Sequence, residues 1–277
     1  MVFKDTTRDG HFYTARVLTM DINLLESTVI QTQQLATWAG DAEPGTPIPT
    51  CPEWTLTNLV DHVGATQRWV SRLVGEGISD PGTAFSIGWE SAPANPSAWR
   101  SWLLDGARGV ETTFAGATDD RVVWDPSGAG DGVTFWSRRA FGEISVHRID
   151  AAFALDRDYQ IDPPLAAAAI EDWLSTMASS GWAANVPGFA DAMRGDGQTI
   201  AWVADDTDQA WLLRRTAAPL VLTHDRGAAD VTINGPASEL LQIVSRRLPL
   251  DAAQSSTVVG DRNELTHLIG NMTWIGA

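Results

Sequence analysis

Lysine is nearly missing from this 277-residue chain: Lys4 is the only one, and arginine supplies the rest of the positive charge. With 19 basic residues against 35 acidic ones, the formal net charge is −16. That balance argues against a nucleic-acid groove, because the phosphate backbone needs Lys and Arg. It also disfavours an anionic membrane surface. Arginine in place of lysine, with many Ala and Trp, suggests a GC-rich coding genome. Cysteine is as scarce. Cys51 stands alone, so no intrachain disulfide forms and cytosolic life is compatible. No run of about 18 apolar residues occurs, and the start MVFKDTTRDGHFYTAR has no apolar signal core. The expectation is a soluble cytoplasmic protein. Internal repeats, low-complexity tracts, a P-loop, a GxGxxG turn and a Ser/His/Asp triad are missing as well.

Hydrophobic residues at 44% and charged residues at 19% are ordinary for a globular protein, and the length favours two domains. Residues 1–19 carry mixed charge with little periodicity and read as a flexible N-terminal extension. Apolar residues then recur at helical spacing over 21–39, from just after Trp54 to about Val74, over 97–114 and over 135–154. Thr55 or Thr57 suits the cap of the second helix. Four such helices predict a four-helix bundle. The segment 40–54 is a Pro-rich connection, and 75–96 a long loop of the length that tends to be functional or mobile. After Pro163 and Pro164 another helix runs to near Gly181, with a short one at 189–193. From Gln198 the texture changes to short β-rich runs separated by turns, TIAWVAD, QAWLLRRT, LVLTHD and DVTING, the pattern of an antiparallel sheet. A helix over 236–248, the strand STVVGD and a closing helix ELTHLIGNM complete it. The fold class is α+β in two domains: a helical bundle over 20–196, and a small antiparallel sheet with helices over 197–277.

The stretch FWSRRAFGEISVHRIDAAFA, 135–154, is the chain's centre of interest. As a helix it stacks Glu143 and His147 on one face, among Trp136, Ala140, Ile144, Ala151 and Ala154. A carboxylate in such a face needs a partner. His62 lies inside the apolar stripe of the second helix, so a bundle brings His62, Glu143 and His147 together as a two-histidine, one-carboxylate metal set. An ordinary reading stands beside it: hydrogen-bonded core histidines, with Glu143 paired to Arg139. Asp150 is spaced to orient a ring N–H of His147, but a salt bridge with Arg148 or Arg157 is the expectation. Asp61 reads as a solvated charge. Cys51 lies roughly 16 Å from His62, reckoned along the helix axis, and reads as a buried, inert thiol. Trp54 and Trp89 suit pocket walls, whereas His11, His224 and His267 have no ligand-like neighbours.

The segment from Pro49 through His62, PTCPEWTLTNLVDH, resembles the entry motif of the actinobacterial mycothiol-dependent maleylpyruvate isomerase family. EISVHRID, from Glu143 through Asp150, and the tail ADVTINGPASELLQIVSRRLPLD are similar to two further stretches of that family. The resemblance covers about 20–277; residues 1–19 extend beyond it. It implies a DinB-like metal-binding four-helix bundle followed by a domain like sterol carrier proteins. It implies a divalent metal, zinc first, on His62, Glu143 and His147, and mycothiol as the thiol cosubstrate. A metal-favoured thiolate would add to the cis double bond of maleylpyruvate, and rotation and elimination would give fumarylpyruvate. Arg247 is the residue implied to pair with substrate carboxylates, against the plain alternative of an arginine at a helix C-terminus. Two other functions stay open: a DinB-like thiol S-transferase, and a non-enzymatic small-ligand-binding protein with a structural metal. The expected partners are a small electrophile and a low-molecular-weight thiol, with no nucleic acid and no membrane. Monomer and dimer are equally compatible.

Overall fold

The computed structural model describes residues 23–118, 120–217 and 220–272; the expected extension over 1–19, and His11 with it, lie outside them. Helix α1 (Leu24–Gly40) starts at Asn23, whose side chain accepts the Glu26 N–H at 3.1 Å. Helix α2 (Leu56–Gly75) starts after Thr55, where the Asn58 side chain reaches back to accept the Thr55 N–H at 2.9 Å. The stretch 75–96, expected to lack structure, contains the short α3 (Pro81–Ser86). Asp80 caps it by accepting the Thr83 N–H at 2.7 Å, and Pro81 fills the first turn, so Asp-Pro here starts a helix rather than a turn. Helices α4 (Trp99–Ala115) and α5 (Gly132–Ala154) complete the predicted bundle.

Helices α1 and α2 each pack on α4 and α5, so these consecutive helices occupy opposite corners of the bundle. The approach of α2 to α4 is close at Gly64, where a Cβ would collide with the Trp102 ring. Helix α5 is buried on nearly every side, because beyond α1 and α2 it also meets α6 (Pro163–Met177). Short helices α7 (Ser180–Asn185) and α8 (Phe189–Ala192) lead to the sheet.

Strands β1 (Thr199–Ala204), β2 (Ala210–Arg214), β3 (Val221–Thr223), β4 (Val231–Gly235) and β5 (Thr257–Gly260) form one sheet in the order β3-β2-β1-β4-β5. The β1–β2, β2–β3 and β4–β5 pairs are antiparallel, as expected. The central β1–β4 pair is parallel, a departure from the all-antiparallel expectation. The chain after β3 crosses to the far side of β1 instead of turning back beside β3, and it arrives there in β1's direction. Helices α9 (Ala237–Val244) and α10 (Arg262–Asn271) follow β4 and β5.

One hydrophobic core joins Phe141 and Ile149 of α5, Ile170 and Trp173 of α6, Trp202 and Trp211 of the sheet, and Leu240 of α9. Helix α5 therefore belongs to the bundle and to the sheet-bearing half at once. Helix α9 stops four residues short of the expected Leu248. Arg246 takes a left-handed φ of 63°, and the N–H groups of Arg247 and Leu248 return to the Gln242 carbonyl at 2.8 and 2.9 Å. That turn swings Arg247 off the helix and back toward α5. Among the described residues no helix is long and apolar enough to cross a membrane.

Candidate metal centre

The helical period of α5 puts Glu143 one turn before His147, and α2 faces them with His62. One ligand atom from each of the three lies within 4.8 Å of the others. Glu143 Oε2 is 3.1 Å from His147 Nε2 and 3.5 Å from His62 Nε2. Trp54 walls the cluster, its ring 5.8 Å from that of His147 and 5.0 Å from that of His62. Trp89 lies 6.2 Å beyond His62. Glu143 is paired with Arg139, as the ordinary reading expects: its Oε1 accepts from Arg139 Nη2 at 2.8 Å, while Oε2 faces the histidines.

Burial pushes the Glu143 carboxyl up, but Arg139, His147 and His62 outweigh it and hold it well below the usual carboxylate range. Burial would lower His147, yet hydrogen bonds to Asp150 and Glu143 raise it. Asp150, also pushed up by burial, is carried far below its ordinary value by His147 and Arg247. Asp150 is thus ionised and only accepts, so the bond of 2.8 Å to His147 Nδ1 keeps a ring proton on Nδ1. Nε2, 3.1 Å from the ionised Glu143, is the nitrogen that would give up its proton to a cation.

Asp150 corrects the expectation of a pair with Arg148 or Arg157. Arg148 turns away, donating to Gln34 Oε1 and the Gln160 carbonyl, each at 2.6 Å, and Arg157 is exposed. The cation on Asp150 is Arg247, with Nε on Oδ1 at 2.9 Å and Nη2 on Oδ2 at 3.1 Å. The Thr50 hydroxyl donates to the same carboxylate at 2.5 Å. Arg247 therefore reaches the site, but the fork expected to meet a substrate carboxylate is bound to Asp150, and Nη1 is on the Ser245 carbonyl at 2.9 Å.

Cys51 also lies much nearer the site than its axial distance implied. Its Sγ is 4.0 Å from Asp150 Oδ2 and 3.8 Å from Arg247 Nη2, because the chain before α2 folds back, Pro47 bridging to Thr55. Burial, and then Asp150, push its thiol up, which suits an unreactive sulfur. Asp61, expected to be solvated, accepts the Ala92 N–H at 2.6 Å and so anchors the segment that carries Trp89. His224 bonds Glu171 at 2.7 Å and His267 the Ala192 carbonyl at 2.7 Å, both apart from the cluster. Gln67 borders a narrow slot beside Glu143 and His147; four residues after the apolar Val63, it could have been read from the helical period.

Two imidazole nitrogens and one carboxylate oxygen are a donor set for zinc and similar borderline cations. The fixed tautomer of His147 and the orientation of Glu143 by Arg139 fit that use. Among the described residues the cluster comprises three side chains, the number that leaves a coordination position for water or substrate.

Residues 28–152 match the family model described as the mycothiol maleylpyruvate isomerase N-terminal domain, in agreement with the resemblance read from the sequence. A mutant of mycothiol-dependent maleylpyruvate isomerase superposes with a TM-score of 0.51 at 15% identity, covering 85% of this chain and 90% of that one. That likeness is one of fold. The same enzyme in a second structure gives 0.49 at 14% identity, over 85% and 91% of the two chains. The ubiquinone synthesis protein UbiJ-SCP2 gives 0.30 at 21% identity, over 41% of this chain and 93% of its own. No curated protein matches the sequence significantly.

Proposed function

We propose, from the match of residues 28–152 to the mycothiol maleylpyruvate isomerase N-terminal domain, that this protein is a metal- and thiol-dependent enzyme acting on a small unsaturated acid. The observation that carries the reading is the convergence of His62, Glu143 and His147 within 4.8 Å, drawn from two facing helices. These three residues would hold a divalent cation, zinc by donor chemistry, whose charge favours the thiolate form of a bound thiol such as mycothiol. The reaction class is addition of the thiol sulfur to one carbon of a conjugated cis double bond. Rotation about the new single bond follows, and elimination restores the thiol and leaves the trans isomer, as in maleylpyruvate to fumarylpyruvate.

The chain's own residues preset the site for this chemistry. Asp150 fixes the His147 tautomer, and Arg139 aims Glu143. Trp54 and Trp89 shield one side of the cluster. Arg247 holds the Asp150 carboxylate in a two-pronged grip, so its first role here is to position Asp150. The protein needs no cysteine of its own for the reaction, consistent with the raised thiol of Cys51.

Metal content by mass spectrometry on protein without a histidine tag, beside a His147→Ala variant, tests the first half. Near-stoichiometric metal in the wild type, lost in the variant, is expected. A folded protein that holds no metal and takes up no added zinc would sink the reading. Conversion of maleylpyruvate with and without mycothiol, followed by chromatography, tests the second half. A trans product that requires the thiol supports isomerisation, whereas accumulation of a stable thioether would identify an S-transferase.

A further inference from the structure

We propose that a second site, a cavity of about 320 Å³ between the first half of α5, the end of α6 and the 125–131 loop, binds a small hydroxylated carboxylate. Its volume is at the lower end of the range for small-molecule pockets. It shares no lining residue with the slot beside Glu143 and His147.

Arg138 lines this cavity. Among the described residues its Nε is buried without a hydrogen-bond partner. Its charge acts on Glu171 and Asp172, but the hydrogen bonds of both carboxylates go to other groups. Glu171 accepts from Trp211 Nε1 and pairs with His224, each at 2.7 Å, and Asp172 is bound to Arg139. An unpaired buried donor on a charged group is costly, and a planar carboxylate satisfies a guanidinium fork through two parallel bonds. Thr176, 4% exposed, lines the same cavity, and its hydroxyl has no partner either.

The remaining polar groups favour a ligand with hydroxyls. The Ser127 hydroxyl already donates to Asp125 at 2.6 Å, and that of Ser179 to the Thr176 carbonyl at 2.7 Å. Each oxygen also accepts one backbone N–H, from Ala129 at 3.2 Å and from Trp182 at 3.1 Å, and keeps one lone pair for a ligand hydroxyl. Arg138, the one charged side chain among the lining residues, balances a monoanion better than a phosphate dianion. The walls are preformed. Asp125 ties the loop by accepting the N–H groups of Ser127 and Gly130 at 2.8 and 2.7 Å. Gly181 then docks α7 on that loop, its N–H bonded to the Ser127 carbonyl at 3.1 Å.

Isothermal titration of the full chain with D-gluconate, with sorbitol and inorganic phosphate as comparisons, tests the site. Saturable gluconate binding at roughly millimolar affinity is expected, weakened about tenfold or more in Arg138→Gln. Thr176→Val should weaken it by less, and Arg138→Lys should retain part of it. Metal content of Arg138→Gln should match the wild type, which separates this site from the metal centre. No saturable gluconate binding, or equal binding by folded Arg138→Gln, would overturn the proposal. Sorbitol bound as tightly as gluconate would remove the carboxylate from it, and phosphate bound more tightly would refute the ligand class.

Discussion

Replacing Arg247 with methionine removes the cation from a carboxylate that has no access to water. Asp150 is fully buried, the Arg247 side chain is 8% exposed, and the two are joined by two hydrogen bonds. Breaking a buried pair from one side costs about 3–5 kcal/mol, because a charge stays behind uncompensated. The Thr50 hydroxyl and His147 remain on Asp150, so the lower end, about 3 kcal/mol, is expected. Asp150→Asn should cost a similar amount by stranding Arg247. The double variant should cost well under the sum of the two, with a coupling of about 2–3 kcal/mol. Urea denaturation of the metal-free protein, followed by tryptophan fluorescence and far-ultraviolet circular dichroism, measures the cycle. Acid provides a second readout. Burial raises the Asp150 carboxyl, but His147 and Arg247 carry it below its ordinary value. Its contribution is therefore fully present above about pH 4 and lost as pH falls toward the lower folded value. Without Arg247 the folded value rises, and the acid-unfolding midpoint should move up. A coupling below about 0.5 kcal/mol would refute the reasoning, since the pair would then be no more than a tolerated contact.

Four further outcomes are expected. Asp150→Asn should weaken zinc binding by about 10- to 100-fold, the usual effect of losing the partner that orients a histidine ligand; competition with a chromophoric chelator reads this, and unchanged affinity would count against the site. His224 is raised by its hydrogen bond to Glu171, so its stabilisation is complete below about pH 6.5 and disappears as pH rises through its higher folded value. Stability between roughly pH 6 and 9 should therefore decline in the wild type and decline less in His224→Gln, where the raised His147 still contributes. Gly64→Ala should destabilise by about 1–3 kcal/mol, since the new methyl meets the Trp102 ring; thermal melts check it. Arg246→Gly should be neutral to stabilising, up to about 1 kcal/mol, because the positive φ strains an L-residue more than glycine's extra unfolded-state entropy costs.

The three candidate ligands were legible because a helical period fixes which residues share a face. Glu143 and His147 stack by spacing alone, and His62 sits in an apolar stripe that a bundle must turn inward. The partners of Asp150 were not legible. Arg148 is near in sequence, but residues two apart on a helix do not face each other. Arg247 arrives from 97 positions away through a left-handed turn at an arginine, for which no glycine gives warning. The approach of Cys51 to Asp150 and Arg247 was not legible either, because a distance along the α2 axis ignores how the preceding segment folds back, with the Ile48 N–H on the Trp54 carbonyl at 3.0 Å. The parallel β1–β4 pair was hidden for a related reason. Alternation within a strand shows which side is buried, not which neighbour it takes.

The Asp150 carboxylate gathers Thr50, His147 and Arg247, one group from early in the chain, one from its middle and one from near its end. During synthesis the bundle helices emerge first, and His62, Glu143 and His147 can meet before the sheet exists. Asp150 acquires its cation only once translation has passed residue 247 and α9 has docked. Full orientation of His147 is thus a late event in the molecule's maturation. A nascent chain or a C-terminally truncated product would present the same three ligands around a histidine whose partner, Asp150, still lacks its cation, and the tightest metal loading would fall to finished molecules.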